Sequence, residues 1–236
     1  MKEMQRYAGQ PGPVIAMDGP AGSGKSTVAR RVATELGLRY LDTGAMYRAL
    51  TWWLQHNAVD LTDTAAVLAR VAEPRIEVGT DPAAPQVTVG GRDVAADIRT
   101  REVSNSVSTV AAIPQVRRLL IGMQRDIIAS VVADGAGIVA EGRDIGTVVA
   151  PDAAVKVYLT ANEDVRAERR SADLAADPTA TVDITRREQA LRDQRDAAQM
   201  AMADDAVKID TSGLDTDDVV RRVVAMAKQR QAVPHG

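Results

Sequence analysis

Apolar residues along this chain recur in two alternating rhythms. Short runs such as Val14-Ile15-Ala16-Met17, Gly137-Ile138-Val139-Ala140 and Ala154-Val155-Lys156-Val157-Tyr158-Leu159 have the length and β-branched content of buried strands. Between them the apolar positions take helical spacing, as in Val28, Val32 and Leu36, and again in Met46, Ala49, Leu50, Trp53 and Leu54. Strands separated by helices predict an α/β fold: a parallel sheet with right-handed crossovers, flanked by helices, with ligands beyond the carboxyl ends of its strands.

Taken in order, residues 1–12 read as a polar leader. A strand from Val14 runs into a glycine-rich turn, and a helix starts near Gly24 and stops at Gly37. Arg39–Asp42 is a second strand, after which Thr43 is placed to cap a helix. Leu61–Ala72 is a further helix, ended by Pro74. The rhythm then breaks. Arg75–Val78 and Gln86–Val89 alternate polar and apolar residues before Gly90-Gly91, which predicts a small antiparallel insert over about 75–97. A polar-rich helix follows from Ile98 to about Ile113, and Pro114 opens the next, to about Ala133. After the strand at 137–141 and the one at 154–159, helices are expected from Asn162 to about Ala175 and from Ile184 to about Met202, with a loop carrying Pro178 between them. Ala206–Asp210 is the last strand and Leu214–Gln231 a closing helix. The whole of 1–236 reads as one domain.

The first turn carries chemistry. Gly19-Pro20-Ala21-Gly22-Ser23-Gly24-Lys25-Ser26 satisfies G-x-x-x-x-G-K-[ST], with Thr27 next and a strand and helix on either side, the context that gives the pattern its meaning. Glycines let successive backbone N–H groups turn inward around phosphate oxygens, and the helix adds its positive end. Lys25 can set a charge beside the β and γ phosphates of ATP, and the Ser26 hydroxyl can ligate Mg²⁺. Polar residues also gather where the other strands end: Asp18, Asp42-Thr43-Gly44 and Glu141-Gly142-Arg143-Asp144.

Composition narrows the field by exclusion. Phe is absent, so the core must be built from aliphatic residues and Met. Twenty-nine basic against 32 acidic residues give a net charge of −3, which argues against a broad nucleic-acid surface. An anionic substrate must therefore meet locally clustered arginines. There is no cysteine, and the two histidines, His56 and His235, lie far apart in sequence, so neither a thiolate nucleophile nor a Cys or His metal site is expected. Neither a secretory h-region nor an apolar run of membrane-spanning length is present, and a cytoplasmic protein is the expectation. Trp52-Trp53 has two readings, core packing or a base-stacking platform.

Three further segments carry a resemblance: Asp42-Thr43-Gly44-Ala45-Met46-Tyr47-Arg48, Ile98-Arg99-Thr100-Arg101-Glu102-Val103, and Glu141-Gly142-Arg143-Asp144-Ile145-Gly146-Thr147-Val148-Val149. With the phosphate loop they closely resemble the bacterial cytidylate kinases, over about Val14 to Asp210. The resemblance implies transfer of the ATP γ-phosphoryl group to CMP or dCMP with Mg²⁺, by a monomer that binds neither nucleic acid nor membrane. It implies an acceptor-side insert at about 75–97 and a helical lid at about 166–195. It makes Lys25, Arg48 and Arg143 the catalytic residues, with Arg48 and Arg143 on the acceptor's phosphate. Ser108, Arg117 and Asp144 match the residues that read cytosine. Thr43 and Tyr47 are placed near the acceptor, and Arg192 and Asp196 at lid-side contacts with phosphate and ribose.

One departure stands out. Relatives continue after the position of Asp196 with a further arginine, whereas this chain reads Ala197-Ala198-Gln199-Met200 and has no arginine until Arg221. A third guanidinium on the acceptor phosphate is thus missing, which predicts weaker acceptor binding or compensation by another lid arginine. Arg166, Arg169 and Arg170 have two readings, phosphate contact or surface pairing with Glu163 and Glu168. A phosphate-loop kinase acting on a small alcohol is the rival enzyme, with Asp42 as its base. In that reading Ser108, Arg117 and Asp144 have no purpose.

Overall fold

The computed structural model describes residues 12–174, 177 and 179–231. Most of the expected leader, Tyr7, Pro178 and His235 lie outside the described residues. The chain starts with β1 (Val14–Asp18) and α1 (Lys25–Leu36), which stops where the Gly37 N–H turns back to the Ala33 and Thr34 carbonyls. β2 (Arg39–Asp42) leads into α2 (Thr43–His56). The cap of α2 is Asp42, whose carboxylate accepts the Ala45 N–H at 2.8 Å, and not Thr43. α3 (Thr64–Arg70) is shorter than its apolar pattern because the Asp63 carboxylate captures the Ala65 and Ala66 N–H groups and sets the start there.

β3 (Ile76–Val78), β4 (Val87–Val89) and β5 (Arg92–Asp93) form an antiparallel sheet, with Gly90-Gly91 turning between the last two. The helix expected from Ile98 is broken at Thr100, which is extended (φ −57°, ψ 155°); a short 3-10 turn at Asp97–Arg99 precedes α4 (Arg101–Ala111). α5 (Pro114–Ala133) carries its proline in the first turn, where no N–H is needed. β6 (Ile138–Gly142), a π turn at Ile145–Val149 and β7 (Val155–Thr160) follow. The last elements are α6 (Glu163–Asp173), α7 (Val182–Asp196), β8 (Val207–Asp210) and α8 (Thr216–Gln231). Asn162 and Thr181 cap α6 and α7, which begins α7 two residues before Ile184.

All neighbours in the main sheet are parallel, in the order β2-β6-β1-β7-β8. Side chains alternate across it. Ala16, Leu41 and Ile138 face a core shared with α2, α5 and the small sheet, whereas Ile15, Met17, Tyr40 and Val139 face α1 and α8. The small sheet packs on α2 through Val87 and Val89, and its β3–β4 loop covers the outer edge of β2, the Tyr40 N–H reaching the Thr80 carbonyl at 2.9 Å. That partner satisfies an edge strand that would otherwise offer free N–H groups. Register matters most for the site. Asp18 is level with Gly142, and Asp42 with Glu141, so the residues that follow β1, β2 and β6 emerge together along one edge. Among the described residues no helix is long and apolar enough to cross a membrane.

Candidate active site

The turn between β1 and α1 forms the floor of a cleft of about 830 Å³. Gly22 (φ 75°) and Gly24 (φ 87°) adopt left-handed backbone that a side chain would strain. At Gly22 space is also short, since a Cβ would lie 2.8 Å from the Arg166 carbonyl oxygen. Gly24 is the residue before α1, and no side chain caps that helix or places a negative charge in its first turn. Among the described residues no side chain therefore meets the N–H groups of the first turn, which leaves a fixed positive pole at this end of the cleft. Ala21, Gly22, Gly24, Lys25, Ser26 and Thr27 line the cleft; Gly19, Pro20 and Ser23, expected with them, are not among its lining residues. Lys25 curls over the loop, its Nζ donating to the Pro20 carbonyl at 2.7 Å. Burial and the neighbouring Arg143 push its pKa down, while Glu141 and Asp18 work the other way.

Two buried carboxylates behind this loop differ in role. Asp18 accepts the N–H groups of Ile145 and Gly146, both at 2.8 Å, and so clamps the π turn to the end of β1. Glu141 accepts from the Ser26 hydroxyl at 3.0 Å on one oxygen and from the Tyr40 hydroxyl on the other. Burial raises the pKa of both carboxyls, with Asp42 adding to the effect at Glu141. The Tyr40 phenol is pushed up as well, by burial first and then by Glu141. Ser26 and Glu141 are hard oxygen donors side by side at the phosphate loop, the donor type that Mg²⁺ takes next to phosphate oxygens. Among the described residues no group of three His, Asp or Glu could hold a metal, so these two fit an ion that a nucleotide brings with it.

The opposite wall is built from guanidinium groups and their counter-ions. Arg117 on α5 pairs with Asp144 and also donates to the Gln199 side-chain carbonyl at 3.0 Å. Asp196 accepts the Ser108 hydroxyl at 2.7 Å and pairs with Arg143 at 3.1 Å and with Arg192 at 3.7 Å. Arg48 pairs with Asp42 at 2.8 Å, and Arg143 also donates to the Gly19 carbonyl at 2.9 Å. Burial and the nearby Arg143, opposed by Asp196, push Arg192 below its ordinary value. A guanidinium keeps its proton nonetheless, so this crowding persists as repulsion that a bound anion would relieve. Nine cationic side chains line the cleft against five carboxylates. Tyr47 reaches the same wall, and burial pushes its phenol up to about 12.

Thr43, Tyr47, Arg48, Ser108, Arg117, Arg143, Asp144, Arg192 and Asp196 thus all line one cleft with Lys25 and Ser26. Thr43 is buried, and its hydroxyl donates to the Glu141 carbonyl at 2.7 Å. Among the described residues the arginines of α6 form no surface pair with Glu163 or Glu168. Arg166 ties Asp193 (2.5 Å) to the Ala21 carbonyl (3.3 Å), Arg169 holds Thr211, and Arg170 donates to Ser104 at 2.7 Å from within the cleft wall. Trp52 and Trp53 pack against the core, with Arg92 and Arg70 over their rings. Glu141, Arg170 and Gln199 line the cleft and Tyr40 stands behind it; the sequence pattern gave Tyr40 and Gln199 no role there and Arg170 only as one of two readings. For Glu141 the signal is its strand-end position.

A family profile described as cytidylate kinase matches residues 15–229. The cytidylate kinase of Streptomyces avermitilis is 48% identical over 223 residues, covering 94% of this chain and 95% of that protein. That of Nocardia farcinica is 49% identical over 221 residues, covering 90% and 93%. A bifunctional pantoate ligase/cytidylate kinase of Synechococcus elongatus is 43% identical over 229 residues, which are 92% of this chain and 42% of that protein. In backbone the chain is similar to a sugar kinase from Janibacter sp. HTCC2649, with a TM-score of 0.51 at 13% identity over 95% of this chain and all of the other; that likeness is one of fold alone. Profile, identity and coverage agree with the order of strands and the phosphate loop, and the chain belongs to the cytidylate kinase family.

Proposed function

We propose that the protein transfers the γ-phosphoryl group of ATP to CMP and dCMP, giving CDP and dCDP. The observation that carries this reading is the Arg117–Asp144 pair standing in the same cleft as Lys25 and the open end of α1. A carboxylate accepts from the cytosine N4 amino group, but meets the O4 of uracil with lone pairs facing each other. The reader therefore suits a pyrimidine with an exocyclic amine.

The phosphate of a nucleoside monophosphate is largely ionised at neutral pH, its second pKa being about 6, so the transfer needs no protein base. This weakens the small-alcohol alternative, whose base would be Asp42. That carboxylate is engaged with Arg48 and the α2 cap. Arg48, Arg143 and Arg192 are suited to hold the acceptor phosphate, exchanging Asp42 and Asp196 for its oxygens. Lys25 and the N–H groups of the loop are suited to the donor phosphates. Ser26 and Glu141 would hold Mg²⁺, which when bound neutralises charge on the donor phosphates. The α6–α7 hairpin would act as the lid that excludes water, and the 75–97 insert as the acceptor-side wall.

An ADP-release assay across CMP, dCMP, UMP, AMP, GMP and shikimate tests the proposal. CMP and dCMP should lead, and Asp144→Ala should narrow their margin over UMP by about 5- to 150-fold, the 1–3 kcal/mol typical of one base-reading contact. Equal rates with UMP, or ADP release that ignores the acceptor, would refute it.

A further inference from the structure

The segment after α7 is alanine-rich and would prefer to stay helical, yet it breaks into a 3-10 turn at Ala197–Gln199. Contacts across the cleft accompany the break. Gln199 accepts from Arg117 Nη1 at 3.0 Å and donates its amide to the Ala111 carbonyl, at the end of α4, at 3.4 Å. The orientation of the amide is decided by chemistry, since a guanidinium only donates and a backbone carbonyl only accepts.

We propose that Gln199 is the positioning residue for base selection, acting by keeping Arg117 on only one oxygen of Asp144. This rests on the cytidylate-reading role given above to Arg117 and Asp144. An arginine beside a carboxylate tends to close into a two-pronged pair that occupies both oxygens. Here Nη1 is held by Gln199, and Nη2 alone meets Asp144, at Oδ2. Asp144 Oδ1 has no hydrogen bond among the described residues, and Asp144 lines the cleft. That oxygen is the acceptor an exocyclic amine requires. Releasing Arg117 from Gln199 would let the pair close and mask it.

The arrangement also couples base reading to the lid-side helix. Asp196, one turn earlier, binds Ser108 and Arg143, so the end of α7 reaches α4, α5 and the β6 end together. Arg117 is seated only when that end is docked.

The test compares Gln199→Met, which keeps the volume and removes both hydrogen bonds, with Gln199→Glu, which keeps an acceptor for Arg117. For Gln199→Met the ratio of kcat/KM for CMP over UMP should fall about tenfold or more, the order of one hydrogen bond to a charged group. The KM for ATP should stay within about twofold of wild type, because no contact to the phosphate loop is lost. Gln199→Glu should retain most of the ratio. An unchanged ratio in Gln199→Met, or CMP and UMP falling together in both variants, would overturn the proposal. A wild-type enzyme that ignores CMP would instead refute the functional reading beneath it, and the two failures are distinct.

Discussion

Tyr40 shows what one side chain does behind the visible site. It is 2% exposed, lies on β2, and its hydroxyl closes one face of Glu141 while Ser26 closes the other. Tyr40→Phe leaves a buried carboxylate oxygen unpaired, and should destabilise the protein by about 1–3 kcal/mol in urea unfolding. It should also raise the Mg²⁺ concentration needed for half-maximal ATP binding in calorimetry, because Glu141 is no longer held toward Ser26. At the same scale, Gln199→Arg would remove the amide oxygen that Arg117 now meets. It would set a second guanidinium where Arg117 now donates, 3.0 Å away, and should raise the acceptor KM rather than lower it. Steady-state titration of CMP reads the sign directly. Neither effect was legible in the sequence. Tyr40 reads there as an apolar strand residue, and its partner lies 101 positions away; the departure at Gln199 was visible, but not the guanidinium it meets.

Elements were legible where local chemistry and pattern agree. Strand–loop–helix at the phosphate loop, the small antiparallel sheet and the proline start of α5 follow from apolar spacing and turn residues. Bounds moved where a carboxylate or a distant contact decided them: Asp42 and Asp63 set helix starts, and the far-side ties of Asp196 and Gln199 go with the early end of α7. The α6–α7 hairpin is joined to the phosphate loop through Arg166 and to α4 through Glu188, which takes Arg101 at 2.6 and 2.8 Å and Asn105 at 3.0 Å. Gly22→Ala adds a Cβ against the Arg166 carbonyl and forces left-handed backbone on a side chain. A loss of about 2 kcal/mol or more in urea unfolding, with weakened ATP binding, is expected. Glu188→Ala spares the loop and loosens the hairpin from α4. Phosphate release from ATP without acceptor should then rise while the fold holds, as a malachite-green assay and a thermal melt would show.

For the whole molecule, a five-stranded parallel sheet brings the ends of β1, β2 and β6 to one edge, so residues more than a hundred positions apart form one cleft. That gathering could be expected from the alternating rhythm alone. What the rhythm could not supply is the pairing within the cleft, where Arg48, Arg117, Arg143 and Arg192 each already rest on a carboxylate. Filling the cleft should stabilise the chain by mass action. CMP at 100 times its dissociation constant adds about 2.7 kcal/mol, or about 5–11 °C in Tm for a chain of this size, and UMP at the same concentration adds less. A differential thermal melt with the two nucleotides checks this. Donor and acceptor phosphates are expected to meet in one water-excluding cleft. That meeting is tested most directly by ³¹P NMR of the enzyme with ATP, Mg²⁺ and CMP. The β-phosphorus of CDP should grow in step with ADP, with little inorganic phosphate. Inorganic phosphate growing in step with ADP, and no CDP signal, would contradict the account.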